Sequence, residues 1–301
     1  MLTVNKINEL SLNPTEFILS VEKEYHQKII DVVDRITSDK NKKIILLAGP
    51  SASGKTTTSM FLQKELKAKG ITASVISLDN FYGGDHEMPL LPNGKPDFES
   101  VYSLDLAEMH RAFKEIIDCG KTDIPVFDFL NHKRADYRQT IDISNGGLLI
   151  VEGLHAINPV IYENLPKDSL FKIYISVNDS IYNDDGSIVI KSWELRFVRR
   201  LCRDSVYRSS DACNTLKLWT AVVDGERKYL YHFKPTADAV IATLHAYEPC
   251  IFKSIALKLL ENLPECSENY DMAISVKKAL EGFNDIDLSY IPKTSLMQEF
   301  I

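Results

Sequence analysis

Nowhere in the 301 residues does an apolar run approach the ~20 that a bilayer-spanning helix needs, so a membrane role has no support in the sequence. Excess positive charge is missing too. Lys and Arg number 35 against 42 Asp and Glu, a formal charge of −7, whereas a surface that follows nucleic-acid phosphates gathers surplus Lys and Arg. No nucleic-acid partner is therefore expected. The five cysteines, Cys119, Cys202, Cys213, Cys250 and Cys266, show no C-x-x-C spacing, and no secretory or targeting segment is read before them; reduced thiols in a cytoplasm are the expectation. Internal repeats, low-complexity tracts and the Asn-Lys-x-Asp guanine motif are also absent. What remains, 45% apolar and 26% charged, suits one α/β domain with appended helices.

Within that composition the stretch LAGPSASGKTTT, Leu47 to Thr58, stands out. Gly49, four residues, then Gly54-Lys55-Thr56 is the phosphate-loop spacing, in which a glycine-rich turn aims backbone N–H groups at a nucleotide phosphate. The context is right for it. Lys43-Ile44-Ile45-Leu46-Leu47 is an apolar run of strand type, and Thr57 to Lys69 has helical spacing at Phe61, Leu62 and Leu66. A nucleoside triphosphate is the expected ligand, cradled by Gly49, Ser51, Ala52, Ser53, Gly54, Lys55, Thr56 and Thr57. Lys55 is expected to reach the β- and γ-phosphates, and Thr56 to place its hydroxyl on Mg²⁺.

Other elements follow in order. Thr15 to Ile36 carries a helical apolar stripe and no evident chemistry. Residues 73–77 read as a second strand that delivers Asp79 and Tyr82 beyond its carboxyl end, where open α/β sheets bind ligands. Gly83 to Asp97 is a long loop without periodicity. A helix is predicted over 104–119, then a polar, aromatic-rich excursion from Ile124 through His132, Lys133 and Arg134. Leu148-Leu149-Ile150-Val151 is a fully apolar strand ending in Glu152, an acidic position suited to steadying Mg²⁺. Residues 171–177 read as an alternating strand, 178–186 as a polar turn and 238–242 as a last strand, with helices over 193–207, 216–230, 249–263 and 270–283. Arg196, Arg199, Arg200, Arg203 and Arg208 fall within thirteen residues, either a solvated face or a lid that stabilises charge on a transferring phosphoryl group.

Taken together, GPSASGKTT, SLDNFY, PVFDFLNHKR, LLIVEGLHAI and RFVRRLCRD, in this order, resemble the uridine kinase and phosphoribulokinase family of P-loop kinases over about residues 43–245. Within it the chain is most similar to a bacterial nucleoside-kinase-like group, many of whose members have a further N-terminal domain that this chain is expected to lack. The resemblance implies a P-loop NTPase fold: α/β, three-layered, with a mainly parallel sheet flanked by helices. It implies an N-terminal helical extension (1–42), a kinase domain (43–245) with an arginine lid near 192–230, and closing helices (246–301). The implied reaction moves the γ-phosphoryl group of ATP to a hydroxyl of a nucleoside (uridine- or cytidine-like) or related small polyol, with Mg²⁺; the alternatives are a regulatory NTP-binding switch and a degenerate kinase-like interaction module. Asp79 matches the aspartate that takes the acceptor proton; as an alternative it only ligates metal. Arg200, Arg203 and Arg208 match lid arginines, Asp238 a residue near the adenine, Glu99 a ribose-diol contact and His132 a pyrimidine contact, unless His132 is simply a core histidine. Phe127 stands where a tyrosine is usual, and Ser210 and Leu218 where an arginine and a glutamine contact uridine. The implied partner is a small-molecule acceptor, with homo-oligomerisation left open.

Overall fold

A strand buried on both faces needs an unbroken apolar run, and IILLA supplies one: every residue of it is buried. The computed structural model describes residues 1–83, 89–90, 94, 97, 99–128 and 133–301. In chain order these form helices α1 (Val4–Leu10) and α2 (Pro14–Thr37), strand β1 (Ile44–Ala48), α3 (Lys55–Ala68), β2 (Ala73–Ser77) and α4 (Leu106–Cys119). Next come β3 (Lys121–Asp128), β4 (Lys133–Asp142), β5 (Leu148–Gly153), α5 (Pro159–Tyr162), β6 (Leu170–Ser176), β7 (Ile181–Tyr182) and β8 (Ile188–Ile190). The chain ends with α6 (Ser192–Tyr207), α7 (Ala212–Tyr229), β9 (Ala239–Ala242), α8 (Glu248–Leu259), α9 (Tyr270–Glu281) and a short tail.

The central sheet has the order β2-β5-β1-β6-β9, and all its pairings are parallel. Side chains of β1 alternate between its two faces. Ile45 and Leu47 join a core with α2, α3, α6, α8, α9 and the tail, while Ile44, Leu46 and Ala48 join a second core with α4 and α5. This is the expected three-layer, helix-flanked parallel sheet. Each fully buried Leu or Ile contributes about 1.5–3 kcal/mol, which makes the two cores the main source of stability. The helices before and after the sheet share the first core, from Ile7 and Phe17 of α1 and α2 to Leu296 and Phe300 of the tail.

Three local expectations are corrected. The polar excursion after α4 is an antiparallel hairpin, β3 with β4. Its outer strand β4 buries only Ile141 among its residues, so it carries no apolar alternation from which a strand could be read. The polar turn after β6 holds the small β7–β8 hairpin. And β6 is not half-exposed: only Lys172 escapes burial, because the strand lies between β1 and β9 with helices on both faces. Among the described residues no helix is long and apolar enough to cross a membrane.

Candidate active site

Register brings the chemistry-bearing residues together. Glu152, at the carboxyl end of β5, is level with Leu47 of β1 on one side and Ser77 of β2 on the other. Gly49 lies two residues past Leu47 and Asp79 two past Ser77, so the loop after β1 and the turn after β2 open over the same edge. A short 3-10 turn over Leu78–Phe81 presents Asp79, its N–H donating to Ser77 Oγ at 3.3 Å.

The loop itself demands its glycines. A Cβ on Gly49 would lie 2.5 Å from the Ile175 carbonyl oxygen and 2.7 Å from Ser53 Oγ. Gly54 caps α3 at φ +90, a left-handed conformation that side-chain-bearing residues resist. Lys55 Nζ curls back onto the carbonyls of Gly49 and Pro50 at 3.0 and 3.2 Å. Thr58 Oγ1 donates to the Gly54 carbonyl at 2.7 Å and also meets Tyr25 OH of α2 at 2.7 Å, which ties the first long helix to the loop. Ser53 Oγ is buried and has no partner among the described residues, as befits a group waiting for a ligand oxygen.

Around the loop is a cavity of about 260 Å³. It is lined by Ser51, Ala52, Ser53, Gly54, Lys55 and Thr56, by the carboxylates Asp79, Glu99, Glu152, Glu226 and Glu299, by Arg200, Arg203 and Arg208, and by Tyr82. Burial pushes Glu152 up to about 7 against the pull of Lys55, and it raises Asp79 against Lys55 and Arg208. Glu99 is likewise pushed up to about 7 by burial, which Arg200 opposes. On the cationic side, burial holds Arg200 and Arg208 below their usual values, with neighbouring arginines adding to the effect and Asp204 opposing it. An anion entering between these groups would relieve their mutual repulsion.

The five arginines of α6 and its end divide into two sets. Arg200, Arg203 and Arg208 share the buried carboxylate of Asp204 at 3.2, 2.7 and 3.6 Å and face the cavity. Arg196 and Arg199 do not, which corrects the reading of one arginine surface, whether solvated face or lid. Arg196 is paired with Glu226, both buried, and donates to the Ser51 carbonyl at 2.9 Å, while Glu226 accepts the Ser51 N–H at 2.7 Å. Arg199 is paired with Glu248 and reaches the Ala52 carbonyl at 3.2 Å. These two pairs clamp the phosphate loop at Ser51 and Ala52.

Several expected site residues lie elsewhere. Asp238 is placed at the amino edge of β9, where its carboxylate accepts the Lys172 N–H at 2.7 Å. Asp238 lies beside Lys172, level with Leu46, two strands away from β1, and it does not line the cavity around the loop. Phe127 packs edge-on against Tyr82, with ring centroids 5.9 Å apart, and Tyr82 rather than Phe127 borders the cavity. Ser210 and Leu218 are outside the cavity, and Leu218 is 43% exposed, so neither supplies nor withholds a contact there. The N–H and hydroxyl of Thr57 are engaged by Glu299. His132 lies outside the described residues. Glu226, Asp204 and Glu299 were missed by sequence reasoning. Only Asp204, four residues after Arg200 on a helix, left a signal in the spacing.

Among the described residues no group of three or more His, Cys, Asp or Glu side chains could hold a metal alone. The oxygen donors Thr56, Asp79 and Glu152 in the lining of one cavity nevertheless fit a hard cation that takes most of its ligands from phosphates and water.

Comparison with known proteins places this geometry. The curated uridine kinase of Staphylococcus aureus (strain JH9) is 24% identical over 203 residues, which are 67% of this chain and 88% of that protein. The uridine kinase of Saccharomyces cerevisiae is 24% identical over 205 residues, 67% of this chain but only 37% of that longer protein. A solved structure described as a possible uridine kinase from Bacillus stearothermophilus matches with a TM-score of 0.47 at 18% identity, covering 72% of this chain and 99% of the other. The family model for phosphoribulokinase and uridine kinase matches residues 44–248, more than half of the chain and all of the sheet with its phosphate loop. The chain belongs to the phosphoribulokinase / uridine kinase family, nucleotide-binding P-loop kinases that transfer phosphoryl groups to hydroxyls.

Proposed function

We propose that this chain transfers the γ-phosphoryl group of ATP to a hydroxyl of a nucleoside or a related small polyol. The observation that carries the reading is the cavity in which Lys55, Asp79, Arg200, Arg203 and Arg208 converge on the phosphate loop. In the proposed step Asp79 accepts the proton of the acceptor hydroxyl as its oxygen bonds to the γ-phosphorus. The bond from that phosphorus to the bridging oxygen breaks, and ADP leaves with the electron pair. Lys55 and the arginines offset the charge that spreads over the equatorial oxygens, with little covalent work left to the protein. Bound Mg²⁺ would neutralise β- and γ-oxygens, held by the Thr56 hydroxyl and, directly or through water, by Asp79 and Glu152.

The acceptor end is less committed to a pyrimidine than the curated relatives' names suggest. Phe127 offers no hydroxyl and stands behind Tyr82, while Ser210 and Leu218 stand off the cavity. Discrimination of about 10⁴ or more needs side chains that hydrogen-bond the group to be recognised, and the positions expected to do so for a pyrimidine, Phe127, Ser210 and Leu218, are outside the cavity lining. Uridine and cytidine are therefore expected to be poor acceptors or members of a broad set. ADP release should be measured with nucleosides, sugars and other polyols, with mass spectrometry of the product, on wild type and on Phe127→Tyr. Exclusive use of uridine by the wild type would overturn the specificity reading, and acceptor-independent ADP release would point to a nucleotide switch.

Glu99 gives the acceptor site a pH signature. Burial pushes its carboxyl up to about 7, so the anion that would accept hydrogen bonds from a diol is expected above pH 7 and lost below it. The acid limb of kcat/KM for the acceptor should rise through about pH 7, where Glu152 also titrates, and Glu99→Gln should make that limb less steep by removing one of the groups that form it. An unshifted limb in the variant would remove Glu99 from acceptor binding.

A further inference from the structure

The C-terminal tail reaches the phosphate loop from outside the segment that matches the family. Residues 44–248 carry that match, yet Glu299 lines the same cavity as Lys55, Asp79 and the arginines. Glu299 Oε2 accepts the Thr57 hydroxyl at 2.8 Å and the Thr57 N–H at 3.3 Å, in the first turn of α3. This is not a frayed end. Leu296, Met297 and Phe300 are fully buried, Ser295 Oγ donates to Glu22 of α2 at 2.6 Å, and Tyr207 OH donates to the Ile301 carbonyl at 2.7 Å. Phe300 lies under the Arg199 guanidinium at 5.2 Å, and a Cβ on Gly54 would meet Leu296 Cδ1 at 2.6 Å. The tail is therefore anchored on both sides of Glu299.

A carboxylate on the N–H and hydroxyl of a helix's first turn does electrostatically what a phosphate oxygen would do there. The two anions cannot use the same donors together, and at such range they repel. We propose that Glu299 is a built-in competitor for nucleotide phosphate: the tail seats its carboxylate on Thr57, and nucleotide binds only when that side chain is displaced. The proposal rests on the nucleotide-site reading above. It has a population consequence, because the apparent Kd equals the intrinsic Kd divided by the fraction of molecules in which the donors are free.

Glu299→Gln keeps the side chain's size and removes its charge. Titration calorimetry without acceptor, for ADP in the absence of Mg²⁺ and for Mg·ATP, should show roughly 3- to 30-fold tighter binding by the variant in both cases. In the wild type, amide hydrogen exchange over 295–301 should accelerate when nucleotide binds, a readout that needs no variant to fold. Equal affinities, with tail exchange unchanged by nucleotide, would overturn the proposal and leave the nucleotide site standing. Weaker binding by the variant would overturn it in favour of Glu299 as a ligand of nucleotide or, if confined to Mg·ATP, of the cation. No binding by either protein would remove the nucleotide reading itself and the competitor with it.

Discussion

Asp79→Asn is expected to bind Mg·ATP within a few-fold of wild type while kcat falls by about 10²- to 10⁴-fold, the range for loss of a positioned general base. The asymmetry follows from placement. In the proposed site the phosphate loop's amides, Lys55 and Thr56 would grip the nucleotide from the loop between β1 and α3, whereas Asp79 comes from a different segment, the turn after β2. Asparagine has nearly the same shape and can still donate or accept one hydrogen bond, so geometry is kept and only proton acceptance is lost. Burial raises Asp79, which brings its basicity closer to that useful in neutral solution, and Lys55 and Arg208 limit the rise. Steady-state kinetics with saturating acceptor, paired with a nucleotide-binding isotherm, separate the two effects. A kcat within threefold of wild type would take Asp79 out of the proton transfer, and a loss mainly in Mg·ATP affinity would make it a metal ligand first.

The sheet and the loop were legible because each is written in consecutive residues. An apolar run followed by G-x-x-x-x-G-K-T needs no partner to be recognised, and Ala73–Ser77 came out at its observed bounds. Asp79 and Glu152 were legible for a related reason: both stand just past strand ends, and parallel strands bring such positions to one edge. What failed were pairings between distant segments. Glu226 holds Ser51 from 175 residues away, and Glu299 holds Thr57 from 242 residues away. No local pattern marks either glutamate, since each looks like any acidic residue of a helix or a tail until the fold closes. Asp238 failed in the opposite direction. The resemblance implied a nucleotide contact for it, but its carboxylate is taken by the Lys172 N–H two strands from β1, and it does not line the cavity.

The arginine helix provides the sharpest test of that division between local pattern and tertiary role. Arg199→Met is expected to lower the stability of the folded protein by about 3–5 kcal/mol, the cost of leaving a buried charge without its partner. Arg199 and Glu248 are both fully buried; Nε and Nη2 donate to the two carboxylate oxygens at 2.7 and 2.5 Å, and Nη2 also donates to the Thr243 carbonyl at 2.5 Å. Truncating the arginine therefore orphans a carboxylate whose one other bond in this cluster comes from the His245 N–H. Replacing both partners by apolar residues, Arg199→Met with Glu248→Leu, should recover much of the loss, because the desolvation cost of the charges disappears along with their attraction. Arg203→Met makes the contrast: its guanidinium faces the cavity beside Asp204, so its effect should fall on kcat, by roughly 10- to 10³-fold, with stability nearly unchanged. Urea unfolding with equal m-values across the four proteins measures the stability differences directly. A single-variant loss below about 1 kcal/mol at Arg199 would mean that water reaches Glu248 once the arginine is gone, and that the clamp at Ala52 is not what holds the phosphate loop in place.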